Sequence, residues 1–260
     1  MDLPLVLDQV TRAVDQAGEI IRENWDKPRS INRKGRIDLV TDTDVAVEKQ
    51  LLGSLAEILP GAGFLAEESS SDADLGDLTW VVDPLDGTTN FAHGLPFVAI
   101  SVGLWRKDQV VLGVVANPIL DETFTAVRGH GARRNGAPLQ VSDTAELLES
   151  VVCTGFPYTI EERVKEILVW MERALVSCQG LRRYGSAALD LAYVAAGKYA
   201  AYYECSLKPW DMAAGCLLVE EAGGKVTEID GDKGHTLGSE TILASNGRVH
   251  SAMSRMLRGE

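Results

Sequence analysis

The sequence predicts a mixed α/β protein, and three features of its hydrophobic pattern carry that prediction. The chain opens with helical periodicity. It then changes to short apolar runs separated by turn residues, and closes with alternating helical and strand-like segments.

The elements follow in order. Leu3, Val6, Leu7, Val10, Val14, Ala17, Ile20 and Ile21 recur at helical spacing, which predicts a helix over residues 3–25. A basic, irregular stretch follows, with Lys27, Arg29, Arg33, Lys34 and Arg36. Thr41 with Asp44 three residues on fits a capping box, and the helix it opens should stop at Pro60-Gly61. Residues 64–66 and 80–82 read as buried strands, each ending at an acid. Residues 98–105, 110–116 and 123–127 read as a meander of antiparallel strands, with tight turns at 129–131 and 135–136. Beyond Val151, helices over 160–176, 187–196, 210–222 and 249–257 alternate with strands near 181–184, 199–203, 226–228 and 242–244. The expected organisation is an α+β half over 1–150 with an antiparallel sheet and an α/β half over 151–260. No linker separates them, so they should form one compact unit.

Composition narrows the function classes. The chain has 260 residues, and 38 Asp and Glu against 25 Lys and Arg leave a net charge of −13. That balance argues against broad nucleic-acid binding, which needs a basic face. It also means that an anionic substrate would need local positive charge or a bound metal. Cys153, Cys178, Cys205 and Cys216 are widely spaced, unlike a disulfide framework or zinc site, and suggest buried thiols in a reducing cytoplasm. The N-terminal residues do not read as a signal peptide, and no run approaches the ~18 apolar residues of a membrane span.

The stretch from Trp80 to Phe91, WVVDPLDGTTNF, carries the clearest chemistry. The expectation is a buried strand delivering Asp83 at its C-terminal end, with Pro84 setting the turn and Asp86 three residues on. Gly87 and Thr88 then start a helix whose free N–H groups suit a phosphate. Two carboxylates beside a phosphate cradle make sense if a divalent cation such as Mg²⁺ lies between them. Glu67-Glu68-Ser69 after one strand and Trp210-Asp211 at a helix start could supply further ligands. Alone, each fits a solvated pair or a helix cap. Asp44 at a helix start should have its charge favoured and its pKa lowered.

Together, residues 38–44 (DLVTDTD), Glu67-Glu68-Ser69, residues 83–91 (DPLDGTTNF), residues 210–215 (WDMAAG) and Glu221-Ala222-Gly223-Gly224 resemble the inositol monophosphatase family of metal-dependent, lithium-sensitive sugar phosphatases. The resemblance implies a layered α-β-α-β-α sandwich, of the type shared with fructose-1,6-bisphosphatase. It implies two to three Mg²⁺ ions per site. Glu67, Asp83 and the Leu85 carbonyl would hold one, Asp83, Asp86 and Asp211 a second, and a third would sit near Glu67. The first half would thus bind metal and the second complete the substrate pocket. Thr88 would hydrogen-bond the attacking water and pass its proton toward Asp44, with Glu67 as the rival base. Substrate contacts are implied for Asp86, Gly87, Thr88, Gly185, Ser186, Ala187, Glu204 and Asp211. The implied reaction is hydrolysis of a phosphate monoester, foremost myo-inositol monophosphate. Alternatives are a broader sugar phosphatase including fructose 1,6-bisphosphate, or a phosphatase-like regulatory binding protein. A homodimer in the cytoplasm is expected. The basic stretch would be a lid over the site. His93, His130, His235 and His250 read as loop residues without a catalytic role.

Overall fold

The computed structural model describes residues 1–27 and 39–260, and between them only the backbone of Ile31–Arg33. In chain order the elements are α1 (Leu3–Asn24), β1 (Ile31–Arg33), β2 (Leu39–Thr41), α2 (Asp42–Ile58), β3 (Gly63–Ala66), β4 (Leu78–Asp86) and α3 (Thr88–Ala92). The meander follows as β5 (Ala99–Arg106), β6 (Gln109–Asn117), β7 (Glu122–Val127), β8 (Ala132–Arg134) and β9 (Ala137–Pro138). The second half holds β10 (Val151–Thr154), α4 (Ile160–Ser177), β11 (Gly180–Arg182), α5 (Ala187–Ala195), β12 (Ala201–Cys205), α6 (Pro209–Glu221), β13 (Lys225–Thr227), β14 (Thr241–Ser245) and α7 (His250–Arg258).

Two sheets and three helical layers alternate. The seven-stranded sheet has the order β3-β4-β5-β6-β7-β8-β9, parallel only at β3-β4. The five-stranded sheet has the order β11-β10-β12-β14-β13 and is mixed. α1 and α2 cover one face of the large sheet, where Val10, Val14, Ile21, Val47, Leu51 and Leu55 meet Trp80, Val82, Ile100 and Leu112. α5 and α6 fill the space between the sheets, and α4 and α7 cover the outer face of the smaller one. This is the expected α-β-α-β-α sandwich. α6 is buried on nearly every side from Met212 to Val219 because a sheet lies on each side of it. Gly103 and Gly113 admit it closely, since a Cβ on either would stand 3.0 Å from Ala213 or Ala214.

The structure changes three sequence expectations. β4 does not stop at Asp83. It skips a register step between Asp83 and Asp86 and pairs again, because Pro84 has no N–H to give the ladder and one extra residue bulges out. The stretch before α2 contains a hairpin, Ile31–Arg33 antiparallel to Leu39–Thr41. The proposed lid residues Arg29, Lys34 and Arg36, and the Arg33 side chain, lie outside the described residues. Glu204 lies inside the smaller sheet, since β12 runs between β10 and β14. His250 is buried at the start of α7, bonded to Thr227 Oγ1 at 2.9 Å and Ser245 Oγ at 2.7 Å.

Candidate active site

Four acids converge where the C-terminal ends of β3 and β4 meet the N-termini of α3, α5 and α6. β3 and β4 run parallel with Ala66 opposite Val82, and Glu67 N–H donates to Val82 O at 3.2 Å. The next residue of each strand is therefore an acid, Glu67 beside Asp83. Asp83 pairs with Ser101 of β5, whose hydroxyl donates to Trp210 O at 3.1 Å. That bond sets the first turn of α6, and with it Asp211, next to the strand that bears Asp83. Asp86 stands beyond the bulge. It accepts from Ser186 Oγ at 2.7 Å and from Ala188 N at 2.8 Å, both at the start of α5.

The cluster is electrostatically unbalanced. Burial, then the charges of Glu67, Asp86 and Asp211, push the Asp83 carboxyl well above the usual carboxylate range. Burial and Asp86 do the same for Asp211, opposed by the Lys208 N–H. Burial pushes Asp86 up to about 6 against its bonds to Ser186 and Ala188. Protons or cations must offset such mutual repulsion. The donor set is all oxygen: four carboxylates and the Leu85 carbonyl. This is the chemistry that Mg²⁺ prefers, so the residues fit the ion. Local N–H donors engage one oxygen of Asp83 (from Leu85 N, 3.0 Å) and one of Asp211 (from Lys208 N, 2.7 Å). As the side chains stand, no group of three or more His, Cys, Asp or Glu among the described residues is arranged to hold a metal ion.

Thr88 and Asp44 form the second part of the site. Thr88 Oγ1 lies 3.0 Å from Asp44 Oδ1 and 3.1 Å from Leu85 O, with all three residues buried. The capping box forms as expected, with Thr41 N donating to Asp44 Oδ2 at 2.9 Å. The expected lowering of the Asp44 pKa is overturned. Burial raises it, outweighing the Thr41 and Thr88 hydrogen bonds. Asp44 is fully buried, and loss of water penalises its charge more than the helix end rewards it.

Gly87 starts α3 at φ +91, and a Cβ there would stand 2.9 Å from Phe97 O. Both facts restrict the position to glycine. Asn90, within the same motif, donates to Phe97 O at 2.7 Å and Tyr184 O at 2.8 Å, tying the turn to the loop before Gly185 and Ser186. Glu204 is buried, and that burial pushes its pKa up to about 7. Ser186, Ala187, Gly185 and Glu204 thus border the acid cluster from the smaller sheet's side.

Several residues escaped sequence reading. Glu48, buried in α2, accepts from Glu68 N at 2.9 Å and holds the Glu67-Glu68 turn. Asp190 in α5 is buried beside the Cys153 thiol, and burial raises its pKa far above the usual range. Its polarity on an otherwise apolar helix was the one signal available.

Comparison with known proteins agrees with this architecture. The family model described as "Inositol monophosphatase family" matches residues 2–258. Nus factor SuhB of Escherichia coli is 39% identical over 98% of this chain and 96% of its own length. Inositol monophosphatase 2 of Solanum lycopersicum is 39% identical over 96% of this chain and 97% of its own. The solved inositol monophosphatase of Anabaena superimposes with a TM-score of 0.90 at 38% identity, covering 100% of this chain and 97% of that one. With the family model and these relatives matching over nearly the whole length, the chain belongs to the inositol monophosphatase family.

Proposed function

We propose that this chain is a Mg²⁺-dependent phosphatase that hydrolyses myo-inositol monophosphate to inositol and phosphate by direct attack of water. The mutually repelling cluster of buried Asp83 with half-buried Glu67, Asp86 and Asp211 carries the reading, because it fits cations and, through them, a phosphate. Glu67, Asp83 and the Leu85 carbonyl would hold one ion, Asp83, Asp86 and Asp211 a second, and a third would sit near Glu67. Bound divalent cations supply charge neutralisation of the phosphoryl oxygens and acidify a nearby water.

The chain's own groups do the rest. Thr88 Oγ1 donates its proton toward Asp44 Oδ1, which leaves its lone pairs to accept one from the attacking water. The raised Asp44 pKa makes that carboxylate the better proton acceptor. Glu67 is the rival base. The backbone of Gly87 and Thr88 faces the phosphate, while Gly185, Ser186, Ala187 and Glu204 meet the alcohol. The four cysteines are free and buried, which suits a reducing cytoplasm. Among the described residues no helix is long and apolar enough to cross a membrane. Exposed Leu168, Leu175 and Val176 on α4 suit a homodimer.

A broader sugar phosphatase, acting also on fructose 1,6-bisphosphate, is the second reading. Arg183, whose guanidinium lies 4.9 Å from the Phe156 ring centroid near the site, is a cation that a second phosphate could meet. A phosphatase-like regulatory binding role is the third. Phosphate release from inositol 1-phosphate, fructose 1,6-bisphosphate, histidinol phosphate and 3′-phosphoadenosine 5′-phosphate, with and without Mg²⁺ and Li⁺, separates these. The first reading expects the highest kcat/KM on inositol 1-phosphate, Mg²⁺ dependence, millimolar Li⁺ inhibition and a dead Asp83→Asn. Equal turnover by wild type and Asp83→Asn would sink it.

A further inference from the structure

We propose that Gly155 and Tyr202 are positioning residues that fix the pose of Glu204, and thereby set the site's selectivity for a polyhydroxylated alcohol. This rests on the reading of Glu204 as a substrate ligand.

Two independent contacts hold the Glu204 carboxylate. From one side comes Tyr202, two residues earlier on β12 and therefore on the same face of the strand. Tyr202 is fully buried, and its hydroxyl donates to Glu204 Oε2. The backbone of Gly155, just past β10, lies against the same oxygen. A Cβ at Gly155 would stand 1.9 Å from Glu204 Oε2 and 2.6 Å from Oε1. The carboxylate thus occupies the volume that any side chain at 155 would need. β10 and β12 are hydrogen-bonded neighbours within the sheet, with Thr154 opposite Tyr203, so neither backbone can easily yield. Glu204 Oε1 accepts no hydrogen bond among the described residues and is left for a substrate hydroxyl.

The same contacts govern the charge. Burial pushes Glu204 up to about 7, and the Tyr202 hydroxyl opposes this more than any other group. Arg183 also favours the carboxylate, whereas Asp86 disfavours it. Asp190, Asp211, Cys153 and Cys205 complete the titratable surroundings of Glu204 and Tyr202. Removing the Tyr202 donor should therefore shift Glu204 higher still.

The test compares wild type, Tyr202→Phe, Gly155→Ala, Glu204→Ala and the double variant Tyr202→Phe/Glu204→Ala. Each is assayed with Mg²⁺ on myo-inositol 1-phosphate and p-nitrophenyl phosphate between pH 6 and 9, with circular dichroism as the fold check. Tyr202→Phe should raise KM for inositol phosphate about tenfold, the weight of one bond to a charged group. It should change kcat and aryl phosphate hydrolysis less than about twofold, and move the KM midpoint to higher pH. Gly155→Ala should reproduce Glu204→Ala, and the double variant should lose no more than Glu204→Ala alone. Equal losses on both substrates, an unmoved pH profile or additive losses would overturn the proposal. A selective loss in Glu204→Ala with none in Tyr202→Phe defeats this inference alone. No selective loss in Glu204→Ala defeats the assignment of Glu204 as well.

Discussion

The hydroxyl of Ser186 donates to Asp86 Oδ2 at 2.7 Å, across 100 positions of sequence. The same hydroxyl accepts from Leu189 N at 3.4 Å as the N-cap of α5. One side chain therefore caps a helix of the central layer and orients an acid at the end of the large sheet.

Ser186→Ala should lose both functions. Removal of the cap should lower stability by about 1 kcal/mol in urea titrations. Removal of the bond to Asp86 should lower kcat/KM about tenfold. Asn at 186, which caps equally well, should recover the stability but not the full activity.

Asp44→Asn should keep the fold and the substrate affinity but reduce kcat by about 10²–10⁴, the range for loss of a proton acceptor. Steady-state kinetics at saturating Mg²⁺ measure this. A loss under about fivefold would assign the base to Glu67.

Glu48→Ala removes the acceptor that holds the Glu68 N–H. The Mg²⁺ concentration for half-maximal activity should rise about 10–100-fold, as for other partners behind metal ligands. Activity restored at high Mg²⁺ would separate this effect from misfolding.

Two glycine variants test the layer spacing. A Cβ at Gly113 meets Ala214 Cα and O at 3.0 Å, so Gly113→Val should cost about 1–3 kcal/mol by forcing α6 off the sheet. Gly53, exposed within α2, has nothing within 4 Å of its Cβ position. Gly53→Ala should instead stabilise by about 0.5–1 kcal/mol. Denaturant midpoints report both.

His250 gives a stability signature at low pH. Burial lowers its pKa to about 4 from 6.5, with Lys225 adding to the effect. Between those values the unfolded chain binds the proton that the folded one refuses. This contribution is therefore complete above pH ~6.5 and is lost as pH falls toward 4. The buried acids with raised pKa act in the opposite direction, so the readout is the difference between wild type and His250→Asn. The wild type should lose more stability from pH 7 to pH 5.

Much of the candidate site was legible along the chain because its acids sit where a local pattern ends. Asp83 and Glu67 follow apolar strand runs, Asp211 opens an apolar helix, and Asp44 completes a capping box with Thr41. Gly87 and Thr88 mark the turn between them. Contacts that cross from one element to another left no such mark. Ser101 to Trp210, Glu48 to Glu68, Asn90 to Tyr184 and Tyr202 to Glu204 depend on which strands and helices become neighbours. Gly155 is silent in sequence, since what matters there is the space it leaves.

Periodicity, capping residues and turn glycines act over a few residues, so the sequence by itself determined the helices, most of the strands and the identity of the acids. The ionisation of those acids was decided only by the tertiary structure. A helix start favours a charged Asp44, yet full burial raises its pKa. Four carboxylates, each able to exist as a hydrated charge on its own segment, become a repelling cluster once the layers close over them. Desolvation and proximity are properties of the packed molecule. They turn a surplus of negative charge into a cluster whose repulsion protons or cations would offset.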